Sequence, residues 1–147
     1  MEERFDDRYL STIGAKVSRA SVTLPDDSLD MLIWDLAGSE RFDALMRSYD
    51  SGAAGALLVC DLTRPETATA VVSYAQQFWL VNPRTPLLLL GNKADLAEPG
   101  MLTAAEVTAI AASINATALL TSAKTGANVQ AAFQLLAQQL VAPQPVA

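Results

Sequence analysis

From residue 29 onward, short apolar runs alternate with stretches of helical spacing, and this order constrains the fold more than any other feature. The runs are 29–34, 53–60, 86–90 and 116–120. Each is too short for a buried helix and stops at a polar residue or a glycine, as a fully buried strand does. Between them, Phe42, Leu45, Met46 and Tyr49 keep helical spacing. A second helix is expected from Thr63 as N-cap, with Pro65 and Glu66 in its first turn, to about Val81, before Pro83. Thr103 and Glu106 form a capping box for a third, reaching about Ile114. A fourth, 127–141, carries Val129, Phe133, Leu136 and Leu140 on one face. Strand followed by helix four times over implies an α/β fold, with a mostly parallel sheet covered on both faces. Ligands of such sheets bind at the carboxyl ends of the strands. Upstream, 14–24 alternates weakly and meets Pro25-Asp26-Asp27-Ser28, so 14–34 predicts an antiparallel hairpin at one edge.

Bulk properties narrow the function. A chain of 147 residues, 51% hydrophobic and 18% charged, holds one core; a single domain over 1–147 is expected, without repeat or linker. A net charge of −6 argues against general nucleic-acid binding, because phosphates would be repelled. The single cysteine, Cys60, excludes an intrachain disulfide and fits a reducing cytoplasm. The charged start, Glu2-Glu-Arg4, has no signal-peptide pattern. No apolar run approaches membrane-spanning length, and the last residues carry no cysteine for prenylation. A cytoplasmic monomer without a membrane anchor is the expectation.

Three motifs fall just past predicted strand ends: Asp35-Leu-Ala-Gly38, Asn92-Lys-Ala-Asp95 and Thr121-Ser-Ala-Lys124. A carboxylate at Asp35 can orient water or Mg2+ beside a terminal phosphate, and Gly38 lets a backbone N–H approach a phosphate oxygen. Alone, that pair reads equally as a strand-end turn. The second motif is more specific. Guanine presents two adjacent donors, N1–H and an exocyclic amine, and the Asp95 carboxylate can accept both in a charge-assisted pair. Adenine offers an acceptor in place of N1–H and would leave the carboxylate unpaired. Asn92 would brace the loop and the Lys93 stem would cover the base plane. In the third motif, a backbone N–H near Ala123 would meet the guanine O6, with Lys124 over the ring. The Thr12 hydroxyl is a candidate for a Mg2+ shell and Phe5 for the base edge; a turn threonine and a core phenylalanine are the ordinary readings of each.

On these residues the chain resembles a Ras-superfamily small GTPase, most similar in wording to the Rab branch. The resemblance rests on Ser11-Thr-Ile-Gly14, Trp34-Asp-Leu-Ala-Gly-Ser-Glu-Arg-Phe42, residues 51–63, Gly91-Asn-Lys-Ala-Asp95 and Thr121-Ser-Ala-Lys-Thr-Gly-Ala-Asn-Val129. It implies the three-layer sandwich of P-loop NTPases, GTP or GDP with Mg2+ as ligands, and a molecular switch. It places Phe5 and Thr12 in switch I and 35–49 in switch II. Guanine recognition falls to Asn92, Lys93, Asp95, Ser122, Ala123 and Lys124, and Mg2+ to Thr12 and Asp35. Regulators or effectors would engage 12–17 and 38–49.

The departures from the family pattern carry expectations of their own. No stretch of the chain matches the phosphate cradle G-x-x-x-x-G-K-[ST]. Residues 1–4 read as the last turn of the helix that follows it, so the first strand and phosphate loop are expected to be missing, as from a start placed at an internal methionine. Nucleotide affinity should then fall severely, leaving this chain inactive on its own. Ser39 stands where the family carries the Gln that orients the attacking water, so hydrolysis, with Gly38 and Ser39 as the catalytic positions, should be weak. Leu36 replaces the usual Thr. Val17 stands in place of the usual Rab Phe and weakens the case for Rab-type effectors. The alternative is a non-enzymatic pseudo-GTPase that serves as a protein-interaction module.

Overall fold

A computed structural model describes residues 6–10, 15–36 and 53–141, with the side chains of 6–10, 15, 16, 36 and 81 left aside. The chain divides into two compact units, Met1–Gly52 and Ala53–Ala147.

The first unit holds three antiparallel strands, β1 (Asp6–Leu10), β2 (Ala15–Thr23) and β3 (Ser28–Leu36), in the order β1-β2-β3. The expected hairpin is present. Its ladder runs from Ala15 opposite Leu36 to Thr23 opposite Ser28. The turn closes through Leu24 N–H on Asp27 O at 2.7 Å. Asp27 Oδ1 also accepts from Ser28 N–H at 2.7 Å, the local side-chain bond that makes Asp a turn residue. Ala20, Val22, Leu24 and Met31 are buried, whereas Leu32 and Trp34 are exposed. One face is therefore covered and the other open, as an antiparallel sheet allows. β1 pairs with β2 from Asp6 opposite Arg19 to Leu10 opposite Ala15. Periodicity predicts no element there, because Asp6-Asp-Arg-Tyr-Leu10 shows no alternation. Charged edge strands hide from periodicity in this way.

The second unit is α/β. Its strands are β4 (Ala56–Asp61), β5 (Leu87–Asn92) and β6 (Thr117–Leu120), all parallel, in the order β4-β5-β6. Its helices are α1 (Glu66–Val81), α2 (Ala104–Ser113) and α3 (Val129–Val141). Leu87, Leu88, Leu89 and Leu90 are all buried, so the central strand is covered on both faces. On one face, Leu88 and Leu90 pack with Ala132 and Leu136 of α3, with Leu57, Leu119, Leu135 and Leu140 around them. Ala132 and Leu136 thus centre the α3 stripe, and Val129 and Phe133 lie at its half-buried margin. Cys60 is in the core.

The capping box of α2 forms as expected, with Thr103 Oγ1 accepting from Glu106 N–H and Glu106 Oε1 accepting from Thr103 N–H. The cap of α1 does not. That helix begins after Pro65 without a side-chain cap, and Thr63 lies outside it. Both the Thr63 N–H (2.9 Å) and its hydroxyl (2.6 Å) donate to Asp61 Oδ1. These bonds close a local turn on the carboxylate two residues back, and the helix starts only after that turn. The helix expected over 40–49 lies outside the described residues. Among the described residues, no helix is long and apolar enough to cross a membrane.

Candidate functional site

The carboxyl ends of β5 and β6 bring two of the three motifs together. Beyond the last residues of these strands the backbone pairing continues: Thr121 N–H donates to Gly91 O at 2.8 Å, and Ala94 N–H to Thr121 O at 2.9 Å. The loops 92–95 and 121–128 are therefore knitted at their roots. Gly91 is the close point of this knot. A Cβ there would sit 2.8 Å from Leu62 Cδ2 and 3.1 Å from Leu120 Cδ2, so only glycine fits without displacement.

Side chains complete the connection. Asn92 Oδ1 accepts from the Thr121 hydroxyl at 3.2 Å and from Ala123 N–H at 3.0 Å. Asn92 thus ties the loop after β5 to the loop after β6. The Ala123 N–H is engaged in this bond, so a base carbonyl arriving there would share the donor with Asn92. Ser122 is fully buried, and its hydroxyl donates to Asp95 Oδ1 at 2.7 Å while accepting from Thr125 N–H at 3.1 Å. The relay fixes the Asp95 carboxylate, and among the described residues nothing else bonds to it, so Oδ2 and the remaining lone pairs of Oδ1 stay open to a ligand. Asp95 is exposed. An oriented, accessible, acceptor-only group suits a ligand edge with two adjacent donors.

The third motif's loop is wound tight. Ser122 N–H donates to Ala127 O at 3.0 Å and Gly126 N–H to Ser122 O at 2.8 Å, with Gly126 at φ +84°. Asn128, at φ +59°, donates from Nδ2 to Leu120 O at 2.8 Å. Lys124 is exposed on this loop.

Lys93 has left-handed backbone, φ +72°. Its Nζ lies 2.9 Å from Asp61 Oδ2. Asp61 ends β4 and stands directly opposite Asn92 in the parallel register. The Lys93 ammonium and the Thr63 hydroxyl beside it lower the Asp61 pKa to about 2. Burial raises the Cys60 thiol above its ordinary value. Asp61 carries no motif of its own, although the signal that marks Asp35, a carboxylate closing an apolar strand, applies to it equally. Thr121 and Gly91 also join the site, through bonds that link segments about thirty positions apart.

The remaining candidates are distributed differently. Asp35 is exposed near the end of β3, opposite Lys16. Phe5, Thr12, Gly38 and Ser39 lie outside the described residues. No group of three or more metal-ligating side chains occurs among the described residues. Mg2+ is commonly held by one or two carboxylates plus substrate phosphates, which a lone Asp35 on the protein side would fit.

A sequence model of the Ras family matches residues 1–142. The chain belongs to the Ras family. Within it the chain is Rab-like: it is 37% identical over 142 residues to the Ras-related protein Rab-4A of Danio rerio, covering 96% of this chain and 67% of that protein. The Rab-4A of Mus musculus is also 37% identical, and that of Rattus norvegicus 36%, each with 65% of its length covered. The chain thus spans about two thirds of the length of these relatives. The parallel three-stranded sheet and the antiparallel hairpin are consistent with a small-GTPase fold, and Ras-family members bind GTP or GDP with Mg2+.

Proposed function

We propose that this chain is a guanine-nucleotide-binding molecular switch of the small GTPase type. The observation that carries the reading is the Asp95 carboxylate, oriented by the buried Ser122 hydroxyl and left open on the rim of the parallel sheet. In this reading Asp95 accepts N1–H and the exocyclic amine of guanine. Asn92 and Ser122 hold the loops in register, the Lys93 stem covers one face, and Ala123 N–H and Lys124 close over the base. Phe5 packs at the base edge. Thr12 and Asp35 serve Mg2+, which when bound neutralises phosphate charge. Gly38 admits a phosphate oxygen. Ser39 is too short to orient water as the family's Gln does, so hydrolysis is slow. In this reading the base contacts carry the selectivity for guanine. The protein acts in the cytoplasm as a monomeric domain over 1–147, meeting regulators or effectors through 12–17 and 38–49.

Calorimetry with GDP and XDP in magnesium buffer tests this directly. The wild-type chain should prefer GDP, and Asp95→Asn should reverse the preference, because an amide offers one donor and one acceptor to the base edge. Selectivity unchanged by the substitution would remove Asp95 from the base site.

A second reading, a non-enzymatic interaction module, draws support from the hairpin. Leu32 is 58% and Trp34 38% exposed on one face of β3, an apolar presentation of the kind a protein partner covers. A folded chain indifferent to GDP and GTP would favour it.

A further inference from the structure

We propose that Asp61 is a positioning residue of the base site, acting through Lys93. The inference rests on the reading of 92–95 as that site. A lysine carries four rotatable side-chain bonds, and a half-exposed one ordinarily samples many rotamers; ordering it on ligand binding costs affinity. Lys93 is 49% exposed, yet its ammonium is held at 2.9 Å by a carboxylate that is only 16% exposed.

The anchor is itself rigid. Asp61 Oδ1 is occupied by the Thr63 N–H and hydroxyl. The Asp61 backbone N–H donates to Thr67 Oγ1 at 2.9 Å, and that hydroxyl in turn donates to Arg64 O at 2.7 Å in the approach to α1. With one oxygen fixed by its own turn, the other has a set direction, and Lys93 lies along it. Arg64 Nε approaches the same oxygen less closely, at 3.6 Å, from a side chain 64% exposed. The parallel register supplies the remaining constraint, since Asp61 faces Asn92 and Leu62 N–H donates to Asn92 O at 3.0 Å. The positive φ of Lys93 turns the chain immediately after this pairing. The Lys93 stem is thus stretched between a fixed backbone and a fixed carboxylate, preorganised before any base arrives. The ion pair also spends the ammonium charge inside the protein, so Lys93 serves the base through its apolar stem.

A double-mutant cycle on GDP binding separates this from a merely structural ion pair. Asp61→Asn is the informative variant, because its Oδ1 still accepts from Thr63 and the local turn survives. The 147-residue chain, Asp61→Asn, Lys93→Met and the double variant are titrated with GDP and Mg2+ by calorimetry, with thermal unfolding of each. Asp61→Asn should weaken GDP by about three- to fivefold, the scale of a partly exposed charge pair. It should have less than about a twofold effect in the Lys93→Met background, where there is no ammonium to hold. Asp61→Glu should recover part of the loss. Equal affinity of wild type and Asp61→Asn overturns the proposal, as does a full Asp61→Asn effect that persists without the lysine. A folded wild-type chain that takes no GDP overturns the base-site reading itself, and this inference with it.

Discussion

The two units handle their polar and apolar surfaces in opposite ways. In 53–141 the central strand is covered on both faces, and the polar residues at its carboxyl end are bonded to one another across segments distant in sequence. In the hairpin unit one face is buried and the other presents Leu32 and Trp34. Parallel strands need cover on both sides and crossover helices to return the chain, and that construction leaves loops gathered at one rim. An antiparallel hairpin closes with a short turn and tolerates an open face. The first construction suits a fixed site for a small rigid ligand, the second a surface offered to a larger partner.

Substitutions can break or sharpen this contrast. The largest effect should come from Leu88→Ala, which empties a site covered on both sides; about 2–5 kcal/mol of stability should be lost in urea unfolding. A loss under 1 kcal/mol would mean the parallel core is looser than its burial implies. Asn92→Ala leaves the Thr121 hydroxyl and Ala123 N–H without their shared acceptor and should cost about 1–3 kcal/mol, with faster amide exchange in 121–128. Unaltered exchange there would show that the backbone pairing alone holds the two loops together.

The Asp61–Lys93 pair gives a smaller, pH-dependent effect. The folded pKa of Asp61, about 2, lies below its ordinary 3.8, so the unfolded chain takes up the proton first as pH falls. The stabilisation is complete above about pH 4 and is lost as pH drops through about 2. The stability advantage of wild type over Asp61→Asn, about 1 kcal/mol for a partly screened pair, should shrink over that window. A difference constant from pH 6 to pH 2 would show that the carboxylate charge contributes nothing. The smallest effect belongs to the open face: Leu32→Ser should change stability by less than about 0.5 kcal/mol, because a 58% exposed side chain has little apolar area to lose. A large loss would place Leu32 under cover and erase the asymmetry between the two units.

Much of this architecture is legible in the sequence. The strand–helix alternation marked β4, β5, β6 and their helices, because burial on two faces writes a continuous apolar run that few other environments select. The Thr103–Glu106 box marked the start of α2, since its bonds are made within four residues. Asn92, Asp95 and Ser122 stood out as short motifs at strand ends. β1 escaped because a charged edge strand has no period to read. The Thr63 cap failed because the helix starts two residues later, after Pro65, while Thr63 belongs to a turn closed on Asp61.

What the sequence determined by itself was local: which segments are strands and helices, and which residue types stand at their ends. The tertiary structure alone decided which of those ends meet. The β4–β5 register puts Asp61 opposite Asn92, and Lys93 reaches back across it. Continued pairing past β5 and β6 sets Ser122 against Asp95. The spacing along the chain between such partners is fixed by the helices that return it, and only strand register converts that spacing into contact.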